Sequence, residues 1–431
     1  MIDIKLIREQ PELVRKAAAD KGMKFDIDQL LALDARRREL ETLFNELRHE
    51  QKQAGERIAK ASSEERVGLS KAMGAVKARA KGIEDELAGL APRIHELLLL
   101  APQIPAYDEG VPVGADASDN VEVRRVGQPR AKADFGFPFQ DHIALGEALR
   151  LFDLERGVKL AGSRNYVLTG AGAMLHEAVL RLAWDLMVER GWTPLTVPVL
   201  VSEKLMYGTG FFPLHRDEVY LCERDEQCLV GTAEVPVTGF HGDEILEAEE
   251  LPKRYVARST CFRREAGAAG KDTRGLYRIH FFDKLEQVVV CRAEAAESRK
   301  WHEEIIRNAE DVLAALELPY RVVEVCTGDM GQGKVRMFDI ETWMPSREQY
   351  SETHSASRFH DFQARRLNLR YREDKGKPRF CHTLNNTVIA SPRILIPLLE
   401  VHQQKDGGVH VPAALRKYVN GMERINTAPI A

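Results

Sequence analysis

Residues 261–286 read CFRREAGAAGKDTRGLYRIHFFDKLE, and the rest of the chain takes its meaning from this stretch. Both ends have strand character: 258–262 brings apolar and β-branched residues, and 279–290 is rich in Phe, Leu and Val. The loop between them and the start of the second strand set Arg263, Arg264, Lys271, Arg274 and Arg278 against Glu265, Asp272, Asp283 and Glu286, with Gly267, Gly270 and Gly275 interspersed. A long charged loop on a hairpin is costly to order unless it holds a ligand. Arginine's planar fork grips phosphate or carboxylate oxygens through two hydrogen bonds, and glycine lets backbone N–H groups approach closely. A solvated charged hairpin would account for the same residues taken alone.

The order of these residues carries more than their composition. Phe262-Arg263-Arg264-Glu265, then Arg274-Gly275-Leu276, then Phe282-Asp283-Lys284-Leu285-Glu286 resembles motif 2 of the seryl-tRNA synthetases. That motif is the ATP-binding hairpin of a class II aminoacyl-tRNA synthetase in its serine-specific form.

Composition sets the bounds. The chain has 431 residues, enough for two or three domains and a large core. Hydrophobic residues make up 44% and charged residues 30%, as in a soluble globular protein. The formal net charge of -4 gives no global sign of nucleic acid, so any RNA site must be local. Cys222, Cys228, Cys261, Cys291, Cys326 and Cys381 form no CxxC pair. That scatter argues against a zinc ribbon or a disulfide framework and predicts a cytoplasmic protein. The N-terminus is amphipathic with acids and has no apolar core of a secretory signal. No apolar run approaches a membrane span.

Residues 1–25 read as a short helical segment. From 31 to 98 the apolar spacing alternates four and three. Leu33, Arg37, Leu40, Phe44, Leu47, Gln51, Ala54 and Ile58 form one series; Leu69, Met73, Val76, Ala80, Ile83, Leu87, Leu90, Ile94 and Leu97 form the other. That is the seam of a two-stranded coiled coil. The short polar break at 60–65 requires an antiparallel hairpin, an arm reaching roughly 45 Å. Over 48–81 nine Lys or Arg oppose four Glu, whereas 31–47 and 82–98 together carry four Arg against eight acids. A positive distal half suits a phosphate backbone; a solvated coiled-coil face or a dimerisation rod suits it also. In the family resembled, this hairpin grips the long variable arm of tRNA(Ser).

The fold expected is therefore α+β: an arm domain over 1–100, a Pro- and Gly-rich linker over 101–135, and a class II catalytic domain over 136–431. Its sheet is expected to be mainly antiparallel and flanked by helices. Strand-like pieces are expected across 152–167. The helical period over 172–189, followed by 191–198 with Pro198, resembles class II motif 1, which implies a homodimer.

The remaining site residues are carried by the same resemblance. Thr232-Ala233-Glu234 follows a strand-like segment and resembles the serine-binding TxE loop; helix capping is the plain alternative. Glu286 and Thr387 are implied to meet the substrate hydroxyl. Glu352-Thr353-His354-Ser355 maps onto an ATP site, in which Glu352 and Ser355 supply oxygen ligands for Mg²⁺; the family usually has Ser where His354 stands. The segment 382–393 resembles motif 3, with Asn386 and Pro392 where the family often has glycine. Arg393 is implied to lie on one face of adenine and Phe282 on the other, with Arg263, Arg264 and Glu265 also binding ATP. Arg263, Glu265 and Arg393 are the implied catalytic groups. The implied reaction is serine–tRNA ligation: ATP and L-serine give seryl-adenylate, and the serine passes to tRNA(Ser). Selenocysteine tRNA is left open as a second acceptor. Two rivals stand beside this reading. A ligase of the same fold that charges a carrier protein would lack the arm, and a non-catalytic tRNA-binding paralogue would lose Arg263, Glu265, Glu286 or Arg393.

Overall fold

The computed structural model describes residues 1–268 and 274–426. Gly270, Lys271 and Asp272, counted above toward the charged loop, lie outside the described residues. The chain divides into two compact units between Pro102 and Gln103.

In the first unit the single helical segment expected over 1–25 is two helices, α1 (Ile4–Glu9) and α2 (Pro11–Asp20). Pro11 has no N–H to continue α1 and sits in the first turn of α2, where none is needed. The hairpin is α3 (Ile27–Lys60) and α4 (Ser63–Leu100). Asp26 starts α3 by accepting from Gln29 N at 2.9 Å. Glu65 Oε2 accepts from Ser62 N at 3.0 Å and Ser62 Oγ at 2.8 Å, closing the first turn of α4. Every residue assigned to the seam is buried or half-buried, and Leu40, Leu47, Ala80, Ile83, Leu90 and Ile94 are the enclosed ones. Past Leu47 and before Ala80 no seam position is fully enclosed, because two helices without a third neighbour cover only one stripe of each other. Arg36 ties the pair across the seam, donating to Glu86 at 2.8 and 3.1 Å. Asp34 is a charged core residue that the seam pattern does not reveal. It is fully buried and accepts from Arg8 at 2.9 Å and Arg37 at 2.5 Å, which explains an arginine on the seam.

The second unit is built on an eight-stranded sheet of β1 (Val121–Val126), β2 (Thr193–Thr196), β3 (Lys253–Phe262), β4 (Phe281–Cys291), β5 (Tyr320–Glu324), β6 (Arg336–Met344), β7 (Gln349–His360) and β8 (His382–Ser391). The spatial order is β1-β5-β6-β7-β8-β4-β3-β2. All neighbours are antiparallel except β2 and β3. The segment that reads as linker supplies the edge strand β1, with Val121 opposite Glu324 and Val126 opposite Tyr320. Its Pro and Gly residues flank a short, exposed, charged strand, and Gln103 N and Ala106 N are fastened to Gln332 O and Val335 O at 2.9 Å each. The strand-like pieces expected across 152–167 are two short strands at its ends. Phe152–Asp153 pairs with Val167–Leu168, but the helix Leu154–Ala161 fills the interval, started by Asp153 accepting from Arg156 N at 2.7 Å.

Two helices, α5 (Gly170–Glu189) and α6 (Ala295–Ala315), cover one face of the sheet. Strand alternation decides which residues they meet. Leu285 and Val289 of β4 join the core beneath them, and Gln287 between donates to Ile305 O at 2.8 Å. Asn386 of β8 is fully buried and donates to the same carbonyl at 2.7 Å. That departure from the family pattern therefore faces the helix layer. The alternate residues, Lys284 and Glu286 on β4 and Asn385 and Thr387 on β8, face the opposite side, where the cleft lies.

Candidate active site

A cavity of about 320 Å³ lies on this second face. Thr232, Glu234, Arg263, Glu286, Glu352, Ser355 and Thr387 all line it, drawn from separate strands and loops. Arg263, Lys284, Glu352 and Thr387 also line an adjoining gap of about 50 Å³, together with Glu265, Tyr277, Phe282, Thr353 and Arg393. The two spaces thus share a wall of two cations, a carboxylate and a hydroxyl.

The convergence of Glu352 and Ser355 needs a backbone irregularity. Residues three apart on a regular strand point to opposite faces. Here Ile340 of β6 pairs with His354 and Glu341 with Glu352, so Thr353 is an extra residue in β7. This bulge resets the alternation and turns both Glu352 and Ser355 into the cavity. It also turns His354 away. His354 is buried, donates to or accepts from Thr353 Oγ1 at 2.8 Å, and reaches Val388 O with Nε2 at 3.1 Å. Burial pulls its pKa down to about 4, so it is a neutral imidazole inside the sheet and does not line either space.

Two further candidates stand apart. Ala233 packs in the core with Val237, Tyr255, Ala257 and Val288 and lines neither space. Arg264 is exposed; its backbone N–H donates to Glu218 O at 3.0 Å. Arg393 and Phe282, expected on opposite faces of adenine, both line the smaller gap. Arg393 lies 4.8 Å from the Tyr277 ring and donates to Tyr277 O at 3.2 and 3.1 Å, while Arg263 lies 5.1 Å from the Phe282 ring. Glu265 takes a left-handed φ of 53° and accepts from Arg278 at 3.3 Å.

Lys284, Asn385, Lys334 and Tyr277 belong to the two linings and were missed from sequence. Period-two alternation could have found two of them, since Lys284 precedes Glu286 and Asn385 precedes Thr387 by two residues on their strands. Lys284 Nζ lies 2.5 Å from Glu286 Oε2, which also accepts from Thr387 Oγ1 at 3.4 Å. The Asn385 amide nitrogen is buried without an acceptor among the described residues.

The acids differ in charge. Glu234 opens partly to the cavity but is packed on its other sides; burial, then the neighbouring Glu286, push its carboxyl up to about 7. Thr232 Oγ1 accepts from Glu234 N at 3.1 Å just ahead of the helix Glu234–Gly239, a contact that leaves its O–H able to donate. Asp339, across from Ser355 on β6, is raised well above the usual carboxylate range by burial and by Glu352; its Oδ1 has no hydrogen-bond partner among the described residues.

Such a cleft offers carboxylates for an ammonium group, hydroxyls and amides for a polar side chain, and arginines for phosphate. A profile described as the seryl-tRNA synthetase N-terminal domain matches residues 1–105, and one described as the tRNA synthetase class II core domain (G, H, P, S and T) matches 220–402. The serine–tRNA ligase of Deinococcus radiodurans is 47% identical over 430 residues, covering 98% of each chain. The chain belongs to the seryl-tRNA synthetase family. Two solved seryl-tRNA synthetases share its fold along the whole length. The Pyrococcus horikoshii enzyme, solved with ATP, has a TM-score of 0.93 at 39% identity and covers 100% of both chains. The cytoplasmic enzyme of Naegleria fowleri, solved with AMP, has a TM-score of 0.88 at 31% identity and covers 99% of both.

Proposed function

We propose that this seryl-tRNA synthetase activates L-serine with ATP in the cleft and transfers it to the 3′ end of tRNA(Ser). The observation that carries the reading is the single cavity into which Thr232, Glu234, Arg263, Glu286, Glu352, Ser355 and Thr387 converge, joined to a gap lined by Phe282 and Arg393. Thr232 and Glu234, with the backbone at Ala233, receive the serine ammonium. Glu286 and Thr387 receive its hydroxyl. Glu265, Phe282, Thr353 and Arg393 hold the nucleotide.

In the first step a serine carboxylate oxygen attacks the α-phosphorus and pyrophosphate leaves. Arg263 and Arg393 stabilise the charge that builds on the phosphate oxygens, and positioning does the rest without a covalent nucleophile. Mg²⁺ fits Glu352 and Ser355, because both are hard oxygen donors turned to one face by the bulge at Thr353. When bound it would neutralise phosphate charge. In the second step a terminal hydroxyl of tRNA attacks the adenylate carbonyl and AMP leaves. His354 and Arg264 have no part in this scheme, since neither lines the cleft.

The arm over 1–100 is the tRNA-binding domain, 101–135 the linker and edge strand, and 136–431 the catalytic domain. A homodimer is supported by the outer edge of β2 and by cavities of about 590 and 550 Å³ that meet at Thr260 and Asp283 near the exposed Leu160. No helix among the described residues is long and apolar enough to cross a membrane, and cytoplasmic action is part of the proposal. Charging of tRNA(Ser) and selenocysteine tRNA transcripts with labelled serine, side by side, tests the reading. Serine on tRNA(Ser) supports it, and the second transcript decides the acceptor range. No label on either transcript would sink it.

A further inference from the structure

Gln363 belongs to the segment Asp361-Phe362-Gln363-Ala364-Arg365-Arg366, to which no role has been given. It sits in the helix Phe362–Leu367 and is fully buried. Its amide makes three hydrogen bonds. Thr383 Oγ1 donates to Gln363 Oε1 at 2.6 Å, and Gln363 Nε2 donates to Thr209 O at 3.1 Å and to Glu234 Oε1 at 2.8 Å.

The partners fix which way the amide points. A peptide carbonyl can only accept, so the Thr209 side must face the NH₂ group. The oxygen end then faces Thr383, whose hydroxyl can donate. With one N–H committed to Thr209, the other is aimed at Glu234 Oε1, which must accept and so carries no proton itself. A buried amide with every group satisfied resists turning, because a flip would set its oxygen against both the Thr209 carbonyl and the Glu234 carboxylate. Burial and Glu286 work against the Glu234 anion, and a fixed N–H donor is the nearest group working for it.

We propose that Gln363 is a positioning residue for the substrate ammonium: held by Thr383 and Thr209, it keeps Glu234 an acceptor turned toward the cleft. This rests on the reading of Glu234 given above. A purely structural role, linking the helix to β8, would affect folding alone.

The test is serine-dependent pyrophosphate exchange as a function of pH on the full chain, beside Gln363→Met, Gln363→Glu and Thr383→Val. Gln363→Met keeps the length and removes the donor. It should raise KM for serine about tenfold at neutral pH, leave KM for ATP within about twofold, and move the acid limb of kcat/KM for serine upward in pH. Gln363→Glu should do more, because an acceptor then faces the carboxylate. Thr383→Val should move the limb the same way by less. A folded Gln363→Met protein with wild-type KM for serine and an unmoved acid limb would overturn the proposal. Should neither Gln363 variant fold, an unmoved limb in Thr383→Val overturns it. Absence of serine-dependent exchange in the unaltered chain would instead overturn the reading of the cleft itself.

Discussion

Glu352 and Ser355 open into the same cleft although they stand three positions apart on one strand, because Thr353 is bulged out between them. Two oxygen donors on one face, in a cavity that Arg263 also lines, carry the proposed Mg²⁺ role. Glu352→Gln should therefore raise the Mg²⁺ concentration for half-maximal pyrophosphate exchange by about tenfold or more, and Ser355→Ala by less, since a neutral ligand contributes less than a charged one. A Mg²⁺ titration of each variant, with Mn²⁺ binding followed by paramagnetic resonance, checks this directly.

Serine must be told from alanine by its hydroxyl. Glu286 and Thr387 lie 3.4 Å apart and face the cleft, so a substrate without the hydroxyl leaves them short of a partner. Thr387→Val should lower the serine-to-alanine ratio of kcat/KM by roughly tenfold, about 1–2 kcal/mol of discrimination. Exchange assays with the two amino acids on both proteins measure it.

The raised carboxyl of Glu234 gives serine binding a pH dependence of definite sign. With its value lifted to about 7 by burial and by Glu286, the ionised fraction grows as pH rises through neutrality. KM for serine should fall from pH 6 to pH 8, by up to about tenfold per unit on the acid side, while KM for ATP changes little. Glu234→Gln should flatten that limb and raise KM at every pH.

Buried histidines set the acid limit of stability. Burial lowers His302 and His382 to about 3 and His354 and His360 to about 4. Below the ordinary histidine value of about 6.5 the unfolded chain takes up protons that the folded chain refuses, so stability present above that value is lost as pH falls toward 4. Thermal unfolding should shift down by several degrees between pH 7 and pH 5. An unchanged midpoint would contradict this account of the four rings.

The long-range order of the fold was legible where one physical pattern dominated. A 3.5-residue period specifies a seam without reference to anything else, and every residue it named on α3 and α4 is at least half-buried. The strands of the charged hairpin were legible from β-branched and aromatic content, and they pair from Phe262 opposite Phe281 to Lys253 opposite Val290. The cleft was readable only through resemblance, and its failures have local causes. The bulge at Thr353 reverses the facing of His354, and nothing in the residue types announces it. Ala233 lies between two cleft residues but fits the core by size. Tyr277 and Gln363 come from segments whose contacts are remote in sequence, as does the ion pair of Arg8 with Asp34 in the arm.

Charge on the half of the hairpin around its turn should act on tRNA and not on chemistry. Replacing Lys52, Arg57, Lys71 and Lys77 by alanine should raise KM for tRNA by about tenfold or more and flatten its salt dependence, with serine-dependent exchange unchanged. These four residues are exposed on α3 and α4, so the fold should tolerate their loss.

The most direct measurement is serine-dependent exchange of pyrophosphate into ATP by the full chain and by a chain lacking residues 31–98, each followed by charging of a tRNA(Ser) transcript. The account predicts that serine, and not alanine or threonine, drives exchange in both proteins, that Arg263→Ala abolishes it, and that only the full chain charges tRNA. Exchange that is indifferent to serine in the full chain, or charging that survives loss of the arm, would contradict the division of labour between cleft and arm.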